Sequence, residues 1–257
     1  MSHDQTPVLI LTAHGTIHPG GPAAFEALAE KIRSRLPAVE VVTAFVDVIG
    51  PRLADVLAEV AGRARAVVVP VFLGAGYHVE IDIPQVVSAY GEDQVRVAKS
   101  LGPAPEILDV LADRFRAAAH AVIDGQRQPR PGAADVLPDA VVLAAAGSTN
   151  PAAREQTHIA ADHLAALLDR PVTVGFITAA GPTVREAVDR ARAGARTVGV
   201  ATYLLAPGTF HDGLRSAGAD VVADPIGAHD LLADLVSQRY RDAVTGADAP
   251  AVLAASR

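Results

Sequence analysis

Two histidines stand just beyond short apolar runs. His14 follows Val8 to Ala13 in LILTAHGT, and His78 closes VPVFLGAGYH a few residues beyond the run Ala66 to Phe72. A third candidate, Asp47, ends the apolar run Val39 to Val46. Neutral imidazole binds first-row divalent ions and accepts protons near neutral pH, while a carboxylate adds an anionic oxygen donor. Two imidazoles and a carboxylate suit Fe, Co, Ni or Zn and leave positions open for exchange. With Cys 0, thiolate ligation, a cysteine nucleophile and a disulfide framework are all excluded.

The elements that must position these residues follow a βαβ rhythm. The β-branched runs alternate with segments of helical period: Val8 to Ala13 then Pro22 to Leu36, Val39 to Val46 then Pro51 to Ala61, and then Ala66 to Phe72. Val95 to Ala98 reads as a fourth strand and Pro105 to His120 as the helix closing the first half. The strands are almost continuously apolar, as in a parallel sheet covered on both faces. In a doubly wound sheet of order 2-1-3-4, a crevice opens at the carboxyl ends of strands one and three. His14 and His78 belong to the loops beside that crevice. Neighbouring strands lie about 4.8 Å apart, so the two imidazoles are expected to face one ion, with Asp47 reaching the same edge as a third ligand.

The rhythm then starts again. Ala140 to Ala146, Val172 to Ile177, Thr197 to Tyr203 and Asp220 to Val222 read as strands, and Asn150 is placed to cap a helix beginning at Pro151. Phe45–Pro51 (FVDVIGP) lines up with Phe176–Pro182 (FITAAGP), and Arg65 with Arg196 at the same separation. Gly15 pairs with Gly147 at one residue more, and Tyr77-His78 with Phe210-His211 at two more. The expectation is α/β architecture: two similar doubly wound parallel-sheet domains related by duplication, over residues 1–124 and 139–257, joined by a Pro/Gly-rich linker over 125–138. Ala146 takes the place of His14 and Thr178 that of Asp47, so only His211 persists in the second half. The active site is therefore expected in the first half alone.

The segments TAHGT (Thr12–Thr16) and VPVFLGAGYHVEIDIP (Val69–Pro84) resemble the sirohydrochlorin chelatases, the class II chelatases of sirohaem and cobalt-precorrin synthesis, in their long two-domain form. The resemblance implies metallation of a tetrapyrrole without ATP or an organic cofactor. His14 and His78 would bind the incoming ion and accept pyrrole protons, with Asp47, where the family carries Glu, as an auxiliary ligand. Fe²⁺ is expected first, giving sirohaem, and Co²⁺ next. Metallation needs a bent ring with exposed nitrogen lone pairs, which a deep cleft between two halves could hold. The alternative is a carrier that binds metal or tetrapyrrole and releases it unchanged. The amides of Gly74 to Gly76 or of Gly15 are the candidate donors for the substrate carboxylates.

Lys plus Arg 22 against Asp plus Glu 29 gives a net charge of -7, without a dense basic run, so nucleic acid is not an expected partner. The polar start Met1 to Pro7 lacks a signal-peptide pattern and no apolar stretch approaches membrane-spanning length; a cytoplasmic monomer is expected, with a dispensable tail from Thr245. His18 reads as a solvated loop residue. His158 and His163 are five apart, outside the helical pairing a shared ion needs, and His3, His120 and His229 read as surface residues. Asp82 reads as the cap of a helix beginning near Pro84, and Glu80 as facing cleft or solvent. The glycines from Gly15 to Gly21 lack the residues of a phosphate loop.

Overall fold

Alternate residues of the central strands are apolar on both faces, and each parity has its own core. The computed structural model describes residues 6–74, 76, 78–125, 137–178 and 181–247. The interior of the expected linker (126–136), Met1 to Gln5 with His3, Ala75, Tyr77 and the tail from 248 lie outside the described residues. The first sheet contains β1 (Val8–Ala13), β2 (Val41–Phe45), β3 (Ala66–Pro70) and β4 (Val95–Val97), in the order β2-β1-β3-β4. The second contains β5 (Ala140–Ala145), β6 (Val172–Phe176), β7 (Val198–Tyr203) and β8 (Val221–Val222), in the order β6-β5-β7-β8. All pairings are parallel. This is the two-sheet α/β architecture expected from the sequence.

Connecting helices cover both faces: α1 (Gly20–Arg35), α2 (Leu53–Ala61), α3 (Ile83–Val87), α4 (Pro105–Gly125), α5 (Pro151–Leu168), α6 (Val184–Arg192), α7 (Thr209–Leu214) and α8 (Asp230–Thr245). Asn150 caps α5 as expected, its side chain accepting from the Ala152 N–H at 2.9 Å, with Pro151 at the first helical position. Thr183 and Glu186 close a reciprocal capping box at the start of α6.

The last helix of each half crosses to the other sheet. α4 packs against β7, β8, α5 and α8, whereas α8 packs against α1, β3 and β4. Phe115 of α4 lies so close to Gly199 of β7 that a Cβ there would meet its ring at 2.5 Å. Arg114 Nη2 donates to the Ile226 carbonyl at 2.9 Å, and Tyr240 of α8 donates its hydroxyl proton to the Pro7 carbonyl at 2.6 Å. The expectation that Pro105 to His120 closes the first half is thus corrected. The physical reason is a single core shared by both sheets: Leu9, Leu11, Val67 and Val69 meet Phe115, Val141, Leu143, Leu232 and Val236 in one cluster. The opposite parities, Val8, Ile10 and Val68, or Val142, Ala144 and Val200, face separate outer cores under α2 and α6.

The duplication extends to individual hydrogen bonds. Phe45 N–H donates to the Pro51 carbonyl and Phe176 N–H to the Pro182 carbonyl, both at 2.9 Å. One pairing needs correction. Val8 donates to Arg65 and Ala140 to Thr197, so Thr197, not Arg196, is the counterpart of Arg65.

Candidate active site

His14 leaves β1 through a backbone hydrogen bond that continues the β1–β2 pairing beyond the strand ends. Its carbonyl accepts from the Asp47 N–H at 3.0 Å, and Gly15 follows with φ 97°. A Cβ on Gly15 would sit 2.4 Å from the Asp47 carbonyl oxygen. Gly15→Ala therefore combines left-handed strain with a backbone clash, and is expected to cost about 2–4 kcal/mol and displace His14. Gly91→Ala, where a Cβ meets nothing within 4 Å, is the neutral control, both read by thermal melting.

His78 opens a single π-helical turn, His78–Asp82, which runs directly into α3. The ring centroids of His14 and His78 lie 4.5 Å apart with an interplanar angle of 37°, so the loops after β1 and β3 bring the two imidazoles together at a tilt. Phe72 flanks His78 at 6.3 Å. Loss of hydration pushes the His14 pKa below its ordinary 6.5, and the charge His78 would carry lowers it further, against opposing effects of Asp47 and Asp82. The His14 imidazole thereby keeps its lone pair for an ion to lower pH than a free histidine.

Sequence reasoning missed the role of Asp82. It carries helical dihedrals (φ −67°, ψ −47°) and makes no capping hydrogen bond; the π-turn supplies α3 with its preceding turn, leaving no break to cap. Instead Asp82 Oδ2 lies 2.6 Å from His78 Nδ1. An ionised carboxylate only accepts, so Nδ1 donates to it and the ring orientation is fixed. The His-x-x-x-Asp spacing, one helical turn, was the available signal. Asp82→Asn is expected to weaken Co²⁺ binding by roughly ten-fold or more while leaving the melting temperature nearly unchanged, measured by metal titration of the isolated protein.

Asp47 is placed differently from its expected role. Its side chain is exposed, and Oδ1 accepts from the Val48 N–H at 2.7 Å and from Arg52 Nη1 at 3.2 Å, which together hold its carboxyl below the usual range. Among the described residues no group of three or more His, Asp or Glu is gathered to hold an ion. Its charge nonetheless acts on His14.

The imidazoles face a cleft of about 940 Å³ between the two halves. Ala13, Phe25 and Leu73 line one side, Ala145, Tyr203 and Leu205 the other. Ile17, Val48 and Phe210, large apolar side chains that are 83%, 42% and 44% exposed, all border it. Exposed apolar surface gathered around one opening marks a surface for an apolar face. Tyr203 ties the walls together by donating to the Leu73 carbonyl at 3.0 Å, and burial raises its hydroxyl pKa.

Two further bridges span the lips. His18 Nε2 lies 3.4 Å from Asp212 Oδ2, and Asn150 Nδ2 donates to Glu80 Oε2 at 3.0 Å. The same residue separation relates His18 to Asn150, Gly20 to Ala152 and Glu80 to Asp212, so the bridges are copies of one contact. His18 is therefore no solvated loop residue: its Nδ1 also accepts from the Gly20 N–H at 3.2 Å. This separation makes Phe210, which lines the cleft, the counterpart of His78. His211 is buried, 5% exposed, and is absent from the lining. Neither facing imidazole recurs in the second half.

The fold is that of tetrapyrrole chelatases with two halves. SirB from Bacillus subtilis with Fe3+ superimposes with a TM-score of 0.72 at 20% identity, covering 94% of this chain and 97% of that one. The sirohydrochlorin chelatase SirB from Bacillus subtilis subspecies spizizenii in complex with cobalt gives 0.72 at 17% identity, covering 94% and 96%. A sirohydrochlorin cobaltochelatase of Methanococcus maripaludis is 33% identical over 89 residues, 34% of this chain and 62% of that protein, so the match spans less than two thirds of the relative's length. The CbiX family model matches residues 8–118 and 140–243. The chain belongs to the CbiX family, the sirohydrochlorin chelatases.

Proposed function

We propose that the chain inserts a divalent metal ion into sirohydrochlorin, with Fe²⁺ the preferred ion and Co²⁺ second. The observation that carries this reading is the pair of imidazoles, 4.5 Å between ring centroids, presented to a largely apolar cleft with room for a macrocycle. His14 and His78 hold the ion as substrate, through His78 Nε2 and a His14 nitrogen, and leave its remaining positions for ring nitrogens. As two metal–pyrrole bonds form, two N–H protons leave the ring, and the imidazoles released from the ion accept them. Asp82 fixes the orientation of His78, and Asp47 acts as an auxiliary carboxylate through its charge on His14. The second half serves as the opposing wall, with Phe210 where the first half has His78.

Relatives supply both metals: Fe3+ and cobalt in the two SirB structures, and cobalt for the cobaltochelatase of Methanococcus maripaludis. Binding of hard-to-intermediate nitrogen and oxygen sites follows affinity order and availability, so the preference is read from rates. The test is the anaerobic initial rate with each ion at equal concentration. A faster Fe²⁺ reaction supports the order given, and a faster Co²⁺ reaction reverses it. The working location proposed is the cytoplasm, with the chain as a monomer; no helix among the described residues is long and apolar enough to cross a membrane.

A further inference from the structure

An acidic protein that takes up a polyanion needs local positive charge where the anion docks. The chain carries Asp plus Glu 29 against Lys plus Arg 22, yet none of the described residues lining the cleft is Asp or Glu. Among the described lining residues there is one guanidinium or ammonium, that of Arg154. It belongs to the first turn of α5, on the wall opposite the two imidazoles, and is half-buried.

The guanidinium is held on one side only. Nη1 donates to the carbonyls of Ser148 at 3.1 Å and Thr149 at 3.3 Å, both in the loop leading into α5. Nε and Nη2 donate to no acceptor among the described residues. One edge of the fork is thus fixed by the backbone while the other keeps its donors, the arrangement that receives a planar carboxylate. The separation that relates His18 to Asn150 sets Arg154 against Pro22 in the first half, so this charge, like the imidazole pair, is present in only one of the two copies. The positive field of the α5 N-terminus reinforces it.

We propose that Arg154 binds a peripheral carboxylate of the macrocycle and so sets which edge of the ring turns towards the second half and which nitrogens face His14 and His78. This rests on the chelatase reading. The chemistry recognised is a carboxylate at the rim of a flat apolar ring: the apolar walls take the ring faces and Arg154 the charge. A ring docked without that contact would still reach the imidazoles but in mixed orientations.

The experiment measures the dissociation constant of metal-free sirohydrochlorin by fluorescence quenching, anaerobically and without added metal, at low and high salt. Wild type is compared with Arg154→Gln and Arg154→Lys, and Co²⁺ affinity is titrated in parallel. Arg154→Gln is expected to bind the macrocycle roughly ten-fold more weakly, with a flatter salt dependence, while Arg154→Lys, which keeps the charge but not the fork, recovers the salt slope and only part of the affinity, and Co²⁺ affinity is unchanged. Equal macrocycle binding by wild type and Arg154→Gln would overturn the proposal, as would Gln and Lys variants that lose affinity equally with the wild-type salt slope. If wild type itself fails to bind the macrocycle, the chelatase reading falls and this inference with it, a result distinct from either of the others.

Discussion

Replacing His14 or His78 by alanine is expected to reduce metallation at least 100-fold, on the order of 3 kcal/mol of transition-state stabilisation, with little change in melting temperature. Each ring contributes an ion ligand and a proton acceptor, and each borders the cleft rather than a packed core. Truncation therefore opens no buried cavity. The two losses should not add, because one imidazole alone cannot hold the ion facing the ring. His211→Ala is the discriminating control: buried and away from the cleft lining, it should lower stability without a comparable loss of rate. Initial rates beside thermal melts of the three variants check this. A His14→Ala protein of near wild-type rate would remove His14 from the account.

The second large effect concerns the exchanged helices. Residues 1–124 expressed alone would contain the strands of the first sheet but lack α8, leaving the inner face around β3 and β4, where Val67 and Val69 lie, covered only in part by α1 residues such as Leu28 and Ile32. The same fragment would expose the face of α4 that packs on β7, including Phe115, which is fully buried in the whole chain. Burying a large apolar side chain is worth about 1.5–3 kcal/mol, and a domain's net stability is roughly 5–15 kcal/mol, so a handful of such exposures exceeds what the fragment can tolerate. The fragment is expected to lack a cooperative unfolding transition in calorimetry, and mixing it with residues 139–257 should restore one. Cooperative unfolding of 1–124 alone would show that the first half closes its own core without α8.

The elements themselves were legible because their signals are local. Continuous β-branched runs marked all eight strands to within about two residues, and Asn150-Pro151 marked the start of α5. The imidazole pair was legible because β1 and β3 are neighbours in a doubly wound sheet, and both histidines follow those strands. The helix exchange was not. The apolar stripe of α4 is the same whichever sheet it covers, and only the three-dimensional meeting of Phe115 with Gly199 decides between them. Spacing also misled the matching of His78 with His211: both follow an aromatic residue, whereas the copied bridges of Glu80 and Asp212 show that the register runs through Phe210. Asp82 was read as a cap because an acidic residue before Pro84 ordinarily is one; its contact with His78 is made across a π-turn, for which the four-residue spacing was the one sequence hint. The side-chain direction of Asp47 was likewise beyond sequence, being set by Arg52 and the Val48 N–H.

The central claim is turnover at the imidazole pair, and the most direct measurement counts metallated rings per chain. Sirohydrochlorin in several-fold excess over protein, with excess Fe²⁺ or Co²⁺ under anaerobic conditions, is followed by absorbance against the protein-free reaction. The account predicts many metallated macrocycles per chain at a rate well above background. No more than one per chain, or no acceleration, would contradict it and favour a carrier that binds its cargo and releases it unchanged.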